Sequence, residues 1–269
     1  MTKPMFTAVV NPYQGCYIGP EQLLPLLHSA DSGLAAFQQQ LAASIEAWQK
    51  LYQLIWLDIP PAAAGFIPAA LAAGFEYHHG QGQQLMLVKK LRPDAYLPLA
   101  ATHSIGVGGL VWSGDPQRRG QVLMVQEQPL PGQTPGYFKL PGGMVEPKEN
   151  FAIALQREVF EETGVRAKLS GMLGLRHHHQ GQFGASNVYL IGVLFASSAH
   201  SLPEVWPQVG EIAQARWFEP DAYLSDEKAH PYNKLILRRA LSAPLWSAAE
   251  IAEYRTRHHD YEIFIGEGA

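Results

Sequence analysis

A single cysteine, Cys16, stands among 269 residues, which excludes an internal disulfide and any metal centre built from several thiolates. Charge is sparse too. Charged residues make up 16% of the chain, and 20 basic side chains against 24 acidic ones leave a formal net charge of −4. No run of Lys and Arg is present, which argues against a general electrostatic grip on nucleic acid. Long hydrophobic runs are also missing. The opening residues, Met1 to Gly19, are broken by Pro4, Asn11, Pro12 and Gly15 and lack the continuous apolar stretch of a signal peptide or membrane span. A cytoplasmic protein with neither a nucleic-acid nor a membrane partner is expected. Repeats are absent, and the Ala-rich residues 61–73 are the one compositionally biased stretch. What is abundant is apolar material, 47% of residues, enough for a sizeable core and too much for a disordered chain. The length fits one large domain or two ordinary ones.

Glycine and proline divide the chain. Leu34, Phe37, Leu41, Ile45, Trp48 and Tyr52 recur at steps of three and four, predicting an amphipathic helix within residues 33–54. A strand follows over 54–59, closed by Pro60 and Pro61. A second helix is expected over 66–73, then two strands around Gly80-Gln81-Gly82. Residues 91–99, with Pro93 and Pro98, read as a linker. Beyond it the pattern predicts strands over 105–112 and 121–126, with turn chemistry at Ser113-Gly114-Asp115-Pro116 between them. Further strands are expected over 167–175, 188–197 and 213–218, and a helix over 234–240. The expected organisation is a small α/β domain over 1–100, a larger α/β domain over 101–245 and a C-terminal tail over 246–269.

The informative stretch is GGMVEPKENFAIALQREVFEETGV, residues 142–165. Asn150 can cap a helix that runs without Gly or Pro until Gly164, a suitable C-terminal stop. On that helix Glu158, Glu161 and Glu162 stand at i, i+3 and i+4, so their carboxylates share a face. Unpaired, such charges cost roughly 0.2–0.5 kcal/mol per close pair. A divalent cation among them would reverse that cost, and all-oxygen ligands favour a hard ion, Mg²⁺ or Mn²⁺, that also coordinates phosphate. Arg157 can pair with Glu161 or reach back to Glu149, and Gly142-Gly143 lets the backbone approach an ion or a phosphate closely. A solvated acidic helix face is the plainer reading of Glu158-Val159-Phe160-Glu161-Glu162 alone. The wider spacing tips the balance. Gly143, Glu149, Arg157, Glu158, Glu161, Glu162 and Gly164 match a known signature at seven specified identities, a coincidence expected on the order of once in 10⁸ to 10⁹ starting points.

That signature is the Nudix box, and the segment resembles the Nudix hydrolase family. The resemblance implies an α/β/α sandwich with a mixed sheet, the box forming a loop-helix-loop at the active site. It implies water attack on a nucleoside diphosphate linked to another moiety, with divalent metal help. Glu158, Glu161 and Glu162 with the Gly142 carbonyl would hold Mg²⁺ or Mn²⁺. Arg157 would orient Glu149 or Glu161, and Glu158 is the first choice of general base. Phe138-Lys139-Leu140-Pro141 resembles the lead-in of many members and makes Phe138 and Lys139 substrate-binding candidates. Arg176-His177-His178-His179, with residues 184–189, is similar to the plant ADP-ribose/NADH-type Nudix hydrolases and to the related animal Nudix protein encoded antisense to a fibroblast growth factor. Those proteins carry an extra N-terminal domain, whose end residues 66–79 resemble. His103 with Ile105-Gly106-Val107-Gly108 continues the match. Departures exist: the cysteines of the zinc-ribbon NADH pyrophosphatases are absent, position 181 is glycine rather than proline, and Gln182 and Phe183 stand where some diadenosine-polyphosphate enzymes have tyrosine. ADP-ribose or NADH is the expected substrate. The alternative is a weakly catalytic Nudix-like module that senses a nucleotide and regulates a partner; the complete box favours the enzyme.

Other signals have plainer readings beside functional ones. Adjacent strand residues point to opposite faces, so His177 to His179 cannot all converge on zinc, and His177 and His179 are instead candidates for contact with substrate. His78-His79 reads as structural and His258-His259 as surface. Tyr137 or Phe138 could stack on a base, or one of them could belong to the core. Glu211 is a candidate extra base or metal ligand. Cys16 reads as an inert buried thiol. Apolar surface around Trp48, Trp56 and Phe66 is more than a unit of ~90 residues buries comfortably alone, and packing against the larger domain or a second subunit would cover the remainder, so a homodimer is expected, with the N-terminal domain restricting what accompanies the diphosphate.

Overall fold

The computed structural model describes residues 4–11, 14–28, 33–114, 120–196, 202–227, 229–249 and 262–266. Asp115 and Pro116 of the expected turn and His258-His259 lie outside them. The chain divides into two compact units, Met1–Thr102 and His103–Ala269.

The first unit runs β1 (Val9–Val10), β2 (Gly15–Ile18), α1 (Pro20–Leu27), α2 (Gly33–Trp48), β3 (Leu54–Ile59), a 3-10 turn over Pro61–Phe66, α3 (Ile67–Ala72), β4 (Glu76–Gln81) and β5 (Gln84–Lys90). Its sheet has the order β1-β2-β3-β5-β4, with β2 and β3 parallel. Every residue of β3 is buried. Ile55, Leu57 and Ile59 face a core shared with Leu23, Phe37, Leu41 and Trp48, whereas Leu54 and Trp56 pack on the opposite face with Val88 and Ala95. The helix expected over 33–54 stops at Trp48. Its carbonyl accepts from both Leu51 and Tyr52, and the Gln53 amide bonds to Gln14 beside β2, so the chain has already turned when it reaches the buried strand. Helix α1 and strands β1 and β2 were hidden by the breakers that punctuate residues 4–20.

The second unit runs β6 (His103–Trp112), β7 (Val122–Glu127), α4 (Phe151–Thr163), β8 (Ala167–His178), β9 (Ser186–Ala196), β10 (Ile212–Phe218), α5 (Pro220–Ser225), α6 (Pro231–Ser242), β11 (Trp246–Ala248) and β12 (Phe264–Gly266). The seven strands lie in the order β10-β7-β6-β9-β8-β11-β12. Strands β6 and β9 are parallel and β6 and β7 antiparallel, so the sheet is mixed. Alternation along β6 feeds two cores. Val107 and Val111 meet Leu155 and Val159 of α4, while Leu110 and Trp112 meet Ile236 and Leu237 of α6. Helices therefore cover both faces, the α/β/α arrangement expected from the sequence.

Residues 246–269 were expected only as a C-terminal tail of unknown role. Their described parts instead extend the sheet. Trp246 pairs with Met172 of β8, and β11 pairs antiparallel with β12. The physical reason is visible at Gly171, where a Cβ would meet Leu245 and the Trp246 carbonyl at 2.9 Å. The glycine lets the returning chain close against the edge of β8.

Cys16 is fully buried in the first core, and desolvation pushes its thiol up to about 12, far from the thiolate that thiol reagents need. A chromogenic disulfide reagent at pH 8 should leave the native protein unlabelled over minutes and titrate one thiol per chain in denaturant. Rapid stoichiometric labelling of the native protein would contradict this packing.

Candidate active site

Helix α4 begins at Phe151 and is stopped by Gly164, whose left-handed conformation (φ +72°) lets its amide bond back to the Phe160 carbonyl at 2.7 Å. The expected N-cap, Asn150, makes no side-chain capping bond. A carboxylate from the far end of the chain takes that role: Glu262 accepts from the Phe151 amide at 2.5 Å and the Ala152 amide at 3.2 Å. An anion there satisfies two amides that a helix start leaves unpartnered and lies at the positive end of the helix dipole. Ala154, Leu155 and Val159 then bury one face of α4 against the sheet; Glu158 and Glu162 meet the loop at Gly143 and Gly142, and Glu161 stays exposed beside Arg157.

Arg157 gathers this region. Its Nε and Nη2 donate to the two oxygens of Glu149 at 2.7 and 2.8 Å. Its Nη1 donates to Glu158 Oε1 at 2.9 Å and Glu161 Oε2 at 3.0 Å, and Nη2 also reaches the Met144 carbonyl at 3.1 Å. The sequence left a choice between Glu149 and Glu161 as partner; both are bound, and Glu158 with them. The hydrogen bond from Arg157 holds the Glu149 carboxyl below its ordinary range, and above all the Glu149 contact raises the guanidinium.

The loop leading into the box is fixed along β6. Gly109 and Val107 donate to the carbonyls of Pro141 and Gly143, each at 2.8 Å. Gly142 lies between them with φ +152°, and a Cβ there would lie 2.1 Å from the Val107 carbonyl oxygen. Its amide donates to Glu162 Oε2 at 2.8 Å. A Cβ on Gly143 would come within 2.6 Å of both Glu158 oxygens, so both glycines are required for the carboxylates to approach the loop. Burial pushes the Glu162 carboxyl up to about 7, opposed by the Gly142 amide and the charge of Lys139, and aided by Glu158 and Glu211. Glu158 is raised as well, by burial first, with Arg157 opposing and Glu161 and Glu211 adding repulsion. Glu211, from outside the helix, thus acts on the same cluster.

As placed, no three Asp, Glu, His or Cys side chains among the described residues close around one point, because Arg157 and the Gly142 amide hold these oxygens. The donor set nevertheless fits a hard divalent cation. It is all oxygen, the carboxylates raise one another, and the glycine loop leaves them room.

Comparison with known sequences bears on this geometry directly. The NUDIX domain profile matches residues 102–240, and a second profile, described as a Nudix hydrolase domain, matches residues 6–91. This chain belongs to the Nudix family. Nucleoside diphosphate-linked moiety X motif 6 of Mus musculus is 37% identical over 169 residues, covering 61% of this chain and 51% of the mouse protein. Nudix hydrolase 2 of Arabidopsis thaliana is 30% identical over 212 residues, 78% of this chain and 73% of the plant protein. The chain spans about half the length of the animal relatives it matches. Among solved structures, the MutT protein of Methanosarcina mazei Go1 superposes with a TM-score of 0.41 at 20% identity, over 53% of this chain and 95% of that one.

Within this Nudix domain the remaining candidates divide. Lys139 forms an ion pair with Glu127 and lines a cleft of about 400 Å³ together with Tyr137, Gln128 and His230. Phe138 is half-buried: its ring packs edge-on to Phe218 at 4.9 Å, its carbonyl accepts from Tyr223, and it lines a cavity of about 530 Å³ beside Tyr137. His177 and His179 are exposed and do share a face, with ring centroids 4.3 Å apart, and His177 Nε2 lies 2.9 Å from His103 Nε2. His78 packs on Trp56 in the first unit. Glu262 and the Met144 carbonyl escaped sequence reasoning, since a contact across 111 positions leaves no spacing to read.

The cap generates a prediction. Glu262→Ala should lower stability by about 0.5–2 kcal/mol and speed hydrogen exchange at Phe151 and Ala152, with β6 unaffected. Unchanged exchange at those two amides would show that the carboxylate does not cap α4.

Proposed function

We propose that this Nudix protein is a divalent-metal-dependent pyrophosphohydrolase acting on a nucleoside diphosphate linked to another moiety, with ADP-ribose or NADH the leading substrates. The observation that carries the reading is the guanidinium of Arg157 bonding at once to Glu149, Glu158 and Glu161, beside a buried Glu162 tied to the loop. The name of the animal relatives supports the substrate class. The likeness of residues 176–189 to the plant ADP-ribose/NADH-type enzymes supports the narrower choice. The expected cytoplasmic location and homodimer belong to the same reading, although Trp48, Trp56 and Phe66, whose apolar surface motivated the dimer, are buried within the chain's own cores.

Glu158, Glu161, Glu162 and the Gly142 carbonyl would hold Mg²⁺ or Mn²⁺. Bound there, the ion would neutralise diphosphate oxygens and acidify a nearby water. The chain supplies the rest. Glu158, raised by burial, is suited to take the proton from the attacking water. Arg157 keeps that carboxylate and Glu161 in register, and Glu149 fixes Arg157 by a two-point contact that a lysine could not reproduce. Glu211 adds negative charge to the same locality and is a second candidate for base or ligand.

A panel of ADP-ribose, NADH, FAD, coenzyme A, diadenosine polyphosphates and nucleoside triphosphates, each with Mg²⁺ and with Mn²⁺, tests the reading. Metal-dependent release of a nucleoside monophosphate from ADP-ribose or NADH is expected. Glu161→Gln and Glu162→Gln should keep the fold, read by circular dichroism, and lose turnover on the order of 10²–10³-fold, the scale of removing one group from a preorganised electrostatic site. A folded Glu162→Gln protein with unchanged turnover would favour the nucleotide-sensing alternative.

A further inference from the structure

Arg176, on β8, stands outside the box and outside every role assigned above. Its guanidinium carbon lies 5.0 Å from the ring centre of Tyr189 and 5.4 Å from that of Tyr232. The two rings come from β9 and α6 and hold the guanidinium from different elements. The arginine is exposed, and among the described residues it pairs with no carboxylate. An arginine seated on aromatic faces with its donor edges free is preorganised for an incoming anion, because its plane is already fixed.

Tyr189 connects this arginine to the acidic cluster. Its side chain lies across β6, where a Cβ at Gly106 would stand 2.8 Å from the ring and one at Gly108 2.4 Å from the hydroxyl. The hydroxyl ends under the box loop, 2.9 Å from where a Gly142 Cβ would be. Tyr189 also feels the charges of Glu162 and Glu158, which with burial raise its phenol, against the lowering effect of Arg176. On the α6 side, the Tyr232 hydroxyl is buried and has no hydrogen-bond partner among the described residues. A line of contacts thus runs from the Gly142 loop, along Tyr189, to Arg176.

We propose that Arg176 is a substrate-binding residue that clamps a phosphate of the bound nucleoside diphosphate through paired N–H···O contacts, with Tyr189 and Tyr232 fixing its plane. The inference rests on the hydrolase reading for the position of the diphosphate. It adds a cation where the carboxylates by themselves would repel an anionic substrate.

ADP binding by calorimetry, with and without Mg²⁺, tests the clamp on the full chain. Arg176→Ala should weaken ADP binding and raise KM for the best substrate of the panel by about 10–100-fold, with Mn²⁺ affinity and Tm unchanged and kcat altered less than KM. Arg176→Lys, which keeps the charge and loses the fork, should fall between. ADP affinity within twofold of wild type in Arg176→Ala, or no ADP binding by the wild type at millimolar concentration, overturns the clamp. If the wild type hydrolyses nothing in the panel yet loses ADP affinity on Arg176→Ala, the clamp stands and the hydrolase reading falls.

Discussion

The guanidinium of Arg157 has five N–H bonds to give, and all are given within one loop-helix segment, to Glu149, Glu158, Glu161 and the Met144 carbonyl. Every other feature of the site is arranged so that this can happen. Three carboxylates near one another in partial burial would otherwise repel and take up protons. Tied to a single planar cation, they are held in fixed directions. The bidentate grip on Glu149 also binds the loop before α4 to the middle of the helix, so the segment behaves as one piece. The same cation occupies carboxylate oxygens that an ion would use, which makes Arg157 an organiser of the cluster at rest.

The sheet serves that piece through what it omits. Gly142 and Gly143 have no side chains, so the loop can lie on β6 and meet Glu158 and Glu162 at contact distance. Gly106 and Gly108 have none either, so Tyr189 can lie flat across the same strand and approach the loop from the other face. Backbone pairing of Val107 and Gly109 with Gly143 and Pro141 then holds the loop as firmly as a strand would. At the helix start, Glu262 anchors a segment of the extended sheet edge to the first turn of α4.

Much of this was legible in the sequence wherever the determinant is local. Period-3.6 patterning located α2, and the Gly- and Pro-free stretch between Asn150 and Gly164 located α4, although turn formation after Trp48 cut α2 short of the span its apolar residues suggest. Strand β3 reads directly, because a fully buried strand is a continuous apolar run. The i, i+3, i+4 spacing of Glu158, Glu161 and Glu162 and the position of Arg157 specify which groups share a face without any knowledge of the sheet. Contacts between distant segments left no such trace. Nothing near Glu262 announces a helix cap, and Asn150, the better local candidate, is bypassed. The packing of the Phe138 ring on Phe218 likewise depends on β10 pairing with β7 and leaves no local spacing to read. The glycines at 106 and 108 did carry a hint, since alternating glycines in a strand mark close approach of another group; only the fold says that the group is Tyr189.

The central proposal is that the fork of Arg157 keeps Glu158 and Glu161 beside the box loop, where a divalent ion would recruit them, and the most direct measurement is a Mn²⁺ titration followed by electron paramagnetic resonance on wild type and Arg157→Lys. The substitution keeps the positive charge and removes the planar fork. If the fork organises the ligands, the folded variant should bind Mn²⁺ about 10–100-fold more weakly, the usual effect of losing a group that orients metal ligands. Equal affinity in the two folded proteins would show that the carboxylates need no such organiser, and the account of the site would fail at its foundation.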